Sequence, residues 1–214
     1  NVTIPYQLTI LDNGSEDETP EIGKALAAKY PEVSYVRVGE RGVGVAFRKG
    51  ISINTCNLVG YMDIDLSTDL KYLGKTIEMF QNDPNLQYVN GSRFSKESDT
   101  KGRKWYRKIT SMGLVLLLKT LFHMKATDAV CGFTFLRKEV AEQLVKESSQ
   151  DNGWFYTIEF LLRAERDGMK IYDMPVEWQE DYNTTVKVWK TIKNYLIQMY
   201  HLKKAFRQED KLRK

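Results

Sequence analysis

The feature that most constrains the fold is a short apolar run that ends in two carboxylates. Leu58 to Met62 is mostly apolar and is bounded by polar residues, a pattern typical of a buried parallel strand. Asp63 and Asp65 follow it directly, and Ser67 adds a hydroxyl. In an open α/β sheet, ligands bind at the carboxyl ends of the strands. Oxygen ligands there suit a hard divalent cation that carries substrate phosphates, although a solvated strand end has the same composition.

The rest of the chain alternates strands and helices around that run. Apolar runs predict strands at 7–11, 33–38, 58–62, 87–90 and 170–176, and a short one ending near 137. Helical spacing of apolar residues predicts helices at 19–30, 44–55, 70–82, 109–124, 138–146 and 154–167. This order predicts an α/β fold in which helices cover a parallel sheet.

Composition narrows the function classes. The 214 residues suffice for one domain with a sizeable core. The longest apolar stretch, 113–118, is too short to span a bilayer. Cys56 and Cys131 lie far apart without a metal-binding spacing, which indicates a reducing compartment and no disulfide framework. Because His123 and His201 are the only histidines, zinc chemistry and Ser-His-Asp hydrolysis are poorly supported.

The charge of the chain is concentrated at one end. From Val186 onward there are nine Lys/Arg against two acids, a balance of +7; the whole chain carries +4, so residues 1–185 carry −3. This asymmetry predicts an anionic surface partner rather than nucleic acid. Apolar residues at helical spacing predict an amphipathic helix over about 186–206. That helix either packs on the domain or lies on an anionic membrane, and its charge favours the membrane. We then expect its deletion to leave nucleotide binding largely intact.

Several short motifs occur in a fixed order along the chain. They are Leu11-Asp12-Asn13-Gly14-Ser15, Gly42-x-Gly44-x-Ala46-x-Arg48, Met62-Asp63-Ile64-Asp65-Leu66-Ser67, Gly91-Ser92-Arg93, Asp128-x-x-Cys131-Gly132-Phe133, Gly153-Trp154-Phe155 and Pro175-Val176-x-Trp178. In this order they resemble the family-2 glycosyltransferases over residues 7–182, and above all the branch of the dolichol-phosphate mannose and glucose synthases. The resemblance implies a GT-A, Rossmann-like nucleotide-sugar fold with a mixed, mostly parallel sheet and helices on both faces. It also implies inverting transfer from a nucleoside diphosphate sugar.

The resemblance assigns donor and metal residues. Asp63 and Asp65 match the DxD pair that holds Mg²⁺ or Mn²⁺ against the diphosphate; Ser67 is a third candidate ligand, and Asp65 is also a candidate catalytic residue. Ser67 stands where mannosyl synthases of this branch usually carry Gln, which puts mannose as the sugar in doubt. The candidate donor-binding residues are Asp12, Gly14, Ser15, Arg41, Gly44, Arg48, Asp63 and Asp65. The glycines also fit an ordinary turn, and one of the two arginines also fits a surface charge.

Acceptor residues follow from the same resemblance. Arg93, Arg107 and Ser111 match positions that hold the acceptor phosphate, although a solvated basic loop has the same residues. On a helix Arg107 and Ser111 share a face, and guanidinium groups suit phosphate oxygens. Arg107 is also a candidate catalytic residue. Glu159 stands where many members of the family carry the catalytic base, but a phosphate acceptor is already an anion, so a structural or phosphate-organising role fits equally well. Asp128 is open in the same way.

The sequence therefore predicts a metal-dependent hexosyltransferase that uses a polyprenyl (dolichyl or undecaprenyl) phosphate. Its catalytic domain covers 1–182, followed by a basic amphipathic helix in 183–214. We expect it to be peripheral on the cytoplasmic face of a membrane, with the oligomeric state left open. The alternatives are a family-2 enzyme with a soluble or polysaccharide acceptor, and a non-catalytic module that binds nucleotide-sugars.

One part of the family pattern is missing from these residues. The family begins with a strand and a helix that precede the strand ending at Asp12. That strand belongs between 7–11 and 58–62, so we expect these two strands not to pair directly. Unpaired buried backbone groups are rare because each costs about 1–3 kcal/mol. We therefore expect the 214 residues to be part of a longer chain with roughly 30 or more further residues upstream. The alternative is that Asn1 to Pro5, or a neighbouring chain, occupies the place of the missing strand.

Overall fold

The structure, a computed structural model, describes residues 4–102, 104–179 and 188–212. Within them the strands are β1 (Leu8–Asp12), β2 (Val33–Arg37), β3 (Leu58–Met62), β4 (Tyr88–Ser92), β5 (Asp99–Lys101), β6 (Phe133–Arg137), β7 (Ile171–Pro175) and β8 (Glu177–Gln179). The helices are α1 (Thr19–Lys29), α2 (Val43–Ile53), α3 (Lys71–Asn82), α4 (Trp105–Phe122), α5 (Lys138–Glu147), α6 (Phe155–Arg166) and α7 (Val188–Leu212).

The predicted elements all overlap observed ones, and the differences lie at element ends and in two short strands. β3 has the predicted bounds. Helix α4 begins at Trp105 rather than near Ile109; its first turn is mostly exposed and lacks the buried apolar residues on which the prediction depended. Strands β5 and β8 were not predicted; each has three residues, and their pairing joins Asp99 to Glu177, far away in sequence.

The central sheet has the strand order β3-β6-β4-β7. Strand β6 runs antiparallel between β3 and β4, and β7 is parallel to β4. Strands β1 and β2 form a separate parallel pair, as do β5 and β8. Three of the five pairings among the described residues are therefore parallel, which confirms the predicted mixed, mostly parallel arrangement.

Strands β1 and β3 are not hydrogen-bonded to each other in the part of the chain that the structure describes. Helix α2 nevertheless packs against both. Its Gly50 approaches β1 so closely that an added Cβ would lie 2.9 Å from Leu11 Cδ1. The two strand edges thus share a helix without sharing a hydrogen-bonded ladder, as expected from the family pattern.

The central sheet separates two apolar clusters, because successive side chains of a strand point to opposite faces. Val59 and Leu136 belong to a large cluster with residues of α2, α4, α5, α6 and α7. Phe133 and Phe135 belong to a smaller cluster with Phe80 of α3. Helices therefore cover both faces of the sheet, as predicted.

Helix α7 packs on the domain through one face. Met199 and Leu202 are buried in the large cluster, and the rings of Phe206 and Phe122 lie 5.9 Å apart. Trp189 on another face is exposed. One face of α7 therefore packs on the domain, as one of the two alternatives expected. Membrane contact by the exposed face stays a prediction. Across the described ranges, no helix combines the length and apolarity needed to cross a bilayer.

Candidate functional site

Asp63 and Asp65 lie directly beyond the carboxyl end of β3. The N–H of Asp63 donates to the Gly132 carbonyl at 3.0 Å, and its carboxylate accepts a hydrogen bond from the Tyr61 hydroxyl. A Cβ atom at Gly132 would lie 1.8 Å from Asp63 Oδ2, so the carboxylate occupies space that glycine leaves open. Asp65 is exposed, and its Oδ1 accepts the Ser67 N–H at 2.9 Å.

The surroundings of Asp63 disfavour its negative charge. Burial raises the pKa of its carboxyl above the ordinary value, and the nearby charge of Asp65 raises it further. The Tyr61 hydroxyl and the Arg93 charge act in the opposite direction without cancelling the effect of burial. A bound cation would reverse this balance by compensating both carboxylates.

Ser67 presents an unsatisfied oxygen near these acids. It is 7% exposed, and its hydroxyl has no hydrogen-bond partner among the described residues. Buried hydroxyls are normally paired. The described residues include no group of three or more His, Cys, Asp or Glu side chains that could hold a metal ion. Two carboxylates and a hydroxyl nevertheless fit part of the shell of Mg²⁺ or Mn²⁺, which take further oxygens from phosphates and water.

Arg93 and Asp128 form a buried ion pair. Arg93 donates from Nε to Asp128 Oδ2 at 2.6 Å and from Nη2 to Oδ1 at 3.0 Å. Burial alone would raise the pKa of the Asp128 carboxyl, but Arg93 outweighs it and the pKa is lowered. The guanidinium lies 5.3 Å from the centroid of the Trp178 ring. Asp128 therefore orients Arg93, whose charge also acts on Asp63, and the phosphate-binding role of Arg93 stays a prediction.

Asp12 ends β1 as a buried acceptor with several donors. Its Oδ1 accepts the N–H groups of Gly14 at 3.1 Å and Ser15 at 2.7 Å, and its Oδ2 accepts the Tyr35 hydroxyl at 2.6 Å. Burial would raise the pKa of this carboxyl, but the hydrogen bonds from Tyr35 and Ser15 outweigh it and lower the pKa to about 2. Gly14 has a φ of 95°, which side chains other than glycine rarely adopt.

Arg41 joins this turn from the loop before α2. It pairs with Glu16, and a Cβ added to Gly14 would lie 3.3 Å from Arg41 Cγ. The structure thus brings together four of the predicted donor-binding residues. They are Asp12, Gly14, Ser15 and Arg41.

Gly44 and Arg48 contact another part of the protein. The N–H of Gly44 donates to the Asn152 carbonyl at 2.9 Å. Arg48 donates to the Asp151 carbonyl at 2.6 Å and to the Asn152 side-chain oxygen at 2.5 Å. A Cβ at Gly42 would lie 1.9 Å from the Asn152 oxygen. This close backbone approach explains both glycines without a nucleotide, and donor binding by Gly44 and Arg48 stays a prediction.

Glu159 is 2% exposed, and both of its carboxylate oxygens accept hydrogen bonds. Its Oε1 accepts the N–H of Ser149 at 2.9 Å and Nε of Arg163 at 2.8 Å. Its Oε2 accepts the Ser149 hydroxyl at 2.5 Å. These contacts support the structural alternative for Glu159 and give no support to a role as catalytic base.

Arg107 and Ser111 lie half-buried on one face of α4. Val115 and Leu118 continue that face and are buried in the core. The predicted helical pairing of Arg107 and Ser111 is therefore present, and the face they share points towards the domain. Their contact with a phosphate stays a prediction.

Tyr35, Tyr61 and Asn152 shape these sites but were not predicted. Tyr61 stands two positions before Asp63, a spacing that places both side chains on one face of an extended chain, so a local signal existed. Tyr35 lies 23 positions from Asp12, and Asn152 lies 104 positions from Arg48. No local sequence pattern reports contacts of that range.

Comparisons with known proteins point to one family. Residues 3–145 match the family described as glycosyl transferase family 2. The dolichyl-phosphate beta-glucosyltransferase ALG5A of Trichomonas vaginalis is 29% identical over 88% of this chain and 58% of its own length. The dolichol-phosphate mannosyltransferase of Pyrococcus furiosus is 28% identical over 93% of this chain and 55% of its own length. The chain therefore spans little more than half the length of each of these two relatives.

Solved structures show the same fold. A crystal structure of glucosyl-3-phosphoglycerate synthase from Mycobacterium tuberculosis, in complex with Mn²⁺, uridine diphosphate and glucosyl-3-phosphoglycerate, matches with a TM-score of 0.68. The match covers 92% of this chain and 68% of that chain at 16% identity. It confirms the predicted nucleotide-sugar transferase fold.

Proposed function

We propose that this chain, which belongs to glycosyl transferase family 2, is the catalytic domain of a metal-dependent, inverting hexosyltransferase. Its membership confirms the family predicted from the ordered motifs. The proposed donor is a nucleoside diphosphate sugar, and the proposed acceptor is a polyprenyl phosphate. The observation that carries the proposal is the end of β3, where Asp63, Asp65 and the Ser67 hydroxyl, which has no hydrogen-bond partner among the described residues, offer oxygen ligands.

On the donor side, Asp63, Asp65 and Ser67 would hold Mg²⁺ or Mn²⁺. The ion, when bound, would neutralise the charge that develops on the leaving diphosphate. The structurally similar synthase of M. tuberculosis was crystallised with Mn²⁺ and uridine diphosphate, which supports this class of ligand. The turn of Asp12 and Gly14 would receive the nucleotide.

On the acceptor side, α4 offers both polar and apolar contacts. Arg107 and Ser111 would hold the phosphate, since a guanidinium can form two parallel hydrogen bonds to phosphate oxygens. Trp105, Ile109 and Leu116 are exposed on the opposite, outward face of the same helix, and exposed apolar surface suits contact with lipid hydrocarbon. The two relatives named above carry dolichyl or dolichol phosphate in their names.

The proposed chemistry requires little acid–base help. An oxygen of the acceptor phosphate forms a bond to the anomeric carbon of the sugar while the bond to the diphosphate breaks. Attack from the side opposite the leaving group inverts that carbon. The acceptor oxygen is already anionic near neutral pH, so no proton must be removed, which agrees with the buried, hydrogen-bonded state of Glu159.

The exposed side of α7 is proposed to contact an anionic membrane. Trp189 and Tyr200 are exposed there together with Lys190 and Lys193, a combination typical of interfacial helices. This placement would keep the enzyme peripheral on the cytoplasmic face, near a lipid acceptor. Salt-sensitive sedimentation with anionic liposomes tests it, and a failure to sediment would contradict it.

Transfer assays test the proposed function. Nucleoside diphosphate sugars are screened for transfer to a short-chain polyprenyl phosphate with Mn²⁺ and with EDTA. We expect transfer that requires the metal. Transfer to a soluble sugar alone would instead support the polysaccharide alternative, and tight donor binding without any turnover would support a non-catalytic module.

A matched pair of variants tests the acceptor site. Arg107→Lys keeps the charge but loses the planar fork of donors, so transfer should fall while the calorimetric affinity for uridine or guanosine diphosphate stays unchanged. Lys108→Arg, an equally conservative change at an exposed neighbour, should have no effect. An equal loss of donor affinity in Arg107→Lys would move this arginine to the donor side.

A further inference from the structure

The loop before α2 and the first residues of that helix contact residues 148–153, which we call the bridge. The Asn152 carbonyl accepts the Gly44 N–H at 2.9 Å, and Asn152 Nδ2 donates to Glu40 at 2.9 Å. Arg48 donates to the Asp151 carbonyl at 2.6 Å. An added Cβ at Gly44 would lie 2.3 Å from that carbonyl oxygen. The bridge therefore sets the backbone position of residues 40–48. This segment comprises the loop before α2 and the start of that helix, and we call it the donor turn.

The bridge is held from its other side by α6 and α7. Glu159 of α6 accepts hydrogen bonds from the N–H and hydroxyl of Ser149. Gln198 of α7 donates from Nε2 to Asp151 Oδ1 at 3.0 Å. Arg163 joins the two helices, because it donates to Glu159 at 2.8 Å and to Glu209 at 3.0 Å.

We propose that α7 positions the donor turn through the bridge and that Gln198 is the positioning residue that transmits this contact to donor binding. The path runs from Gln198 to the Asp151 side chain, and from the Asp151 and Asn152 carbonyls to Arg48 and Gly44. The inference rests on the proposed function, which places the nucleotide at the turn of Asp12 and Gly14; Arg41 of the donor turn lies against that turn, since a Cβ added at Gly14 would be 3.3 Å from Arg41 Cγ. It assigns α7 a role in donor affinity in addition to any membrane contact.

This role reverses one expectation from the sequence. An amphipathic tail that only meets a membrane would leave nucleotide binding intact when removed. Helix α7 instead buries Met199 and Leu202 in the core and holds the bridge. Point changes at its hydrogen-bonding residues therefore separate the two roles better than truncation, which would also uncover the core.

The first test compares two glutamines of α7 in the full chain. Gln198→Ala removes the hydrogen bond to Asp151, and Gln208→Ala removes an exposed side chain from the same helix. We expect Gln198→Ala to weaken binding of uridine or guanosine diphosphate with Mn²⁺ by about three- to tenfold, the range for one lost hydrogen bond. In turnover assays the donor KM should rise while kcat and the acceptor KM stay constant. The control should match the wild type.

Exchanging the amide and the carboxylate between the two positions makes the test independent of folding defects. Gln198→Glu places a carboxylate against the half-buried Asp151 and should weaken donor binding more than Gln198→Ala does. Adding Asp151→Asn restores one donor and one acceptor in exchanged positions and should recover most of the affinity. Thermal melting of each variant shows whether it folds.

The outcomes separate this inference from the proposed function. If Gln198→Ala binds the nucleoside diphosphate with Mn²⁺ as tightly as the wild type does, the positioning role of Gln198 is overturned. The role would also be overturned if the double variant Gln198→Glu with Asp151→Asn melts like the wild type and still binds nucleotide no better than Gln198→Glu alone. If the wild type binds neither nucleotide with Mn²⁺, the proposed function fails and this inference fails with it.

Discussion

β1 ends in Asp12 and β3 is followed directly by Asp63, and the protein surrounds these two carboxylates in opposite ways. Asp12 accepts hydrogen bonds from two backbone N–H groups and the Tyr35 hydroxyl, and its pKa falls to about 2. Asp63 lies beside a second acid, and burial raises its pKa. The fold itself compensates the charge of Asp12 but leaves that of Asp63 partly uncompensated.

The difference predicts that Asp12 acts as a structural acid and that Asp63 is the better candidate for binding a cation. A carboxylate that the protein saturates with donors shapes its own turn, here the one that presents Gly14 and Ser15. A carboxylate that is buried next to another gains stability when a cation arrives. The comparison predicts that changes at the end of β1 act mainly on folding and that changes at the end of β3 act mainly on activity.

The largest effect is expected from Asp65→Asn, which removes one charge from the end of β3 with little change in size. Sugar transfer in saturating Mn²⁺ should fall by at least about a hundredfold, the scale for losing one preorganised charge-stabilising group. Glu78→Gln, an equivalent change at an exposed position of α3, is the control. Near-normal turnover of Asp65→Asn, or full wild-type activity in EDTA, would refute the metal site.

The second-largest effect is expected on the free energy of unfolding, where Asp12 and Asp63 can be compared directly. Asp12→Asn should lower the free energy of unfolding by about 1–3 kcal/mol. The amide nitrogen that replaces one carboxylate oxygen would face an N–H or O–H donor and cannot accept a hydrogen bond from it. Asp63→Asn should change the metal-free protein far less, since it removes a charge that burial disfavours. Urea unfolding of both variants without metal measures this. A larger loss of stability in Asp63→Asn would break the comparison.

A smaller effect is expected from pH. The pKa of Asp12 is about 2 in the folded protein against an ordinary value of 3.8, so the folded state binds fewer protons between these values. The stability that Asp12 contributes is therefore complete above about pH 4 and is lost as pH falls towards about 2. The difference in unfolding free energy between the wild type and Asp12→Asn should shrink from about pH 5 to about pH 3. A difference that grows on acidification would contradict the lowered pKa.

The smallest effect is expected from Ser67→Ala. Because the hydroxyl has no partner among the described residues, its loss should change the metal-free unfolding free energy by no more than about 0.5 kcal/mol. The affinity for Mn²⁺ in the presence of a nucleoside diphosphate, measured by calorimetry, should fall several-fold. Unchanged affinity would remove Ser67 from the predicted ligands.

Local patterns in the sequence were enough to predict the strand that carries the candidate metal site. Leu58 to Met62 is a continuous apolar run and Asp63 follows it, so strand, end and acids are all encoded within a few positions. The i, i+4 relation of Arg107 and Ser111 is equally local and appears on α4 as predicted. Such features depend on backbone geometry alone, which a short segment already specifies.

Only the tertiary structure decided which predicted residues are engaged by the protein itself. The order β3-β6-β4, the pairing of Arg93 with Asp128, and the hold of Glu159 and Gln198 on the bridge all join distant positions. A buried polar group must find a partner wherever the packed chain supplies one, and its neighbours in sequence do not reveal that partner. For this reason the candidate donor and metal residues were predictable from the sequence, whereas the environments that separate Asp12 from Asp63 were not.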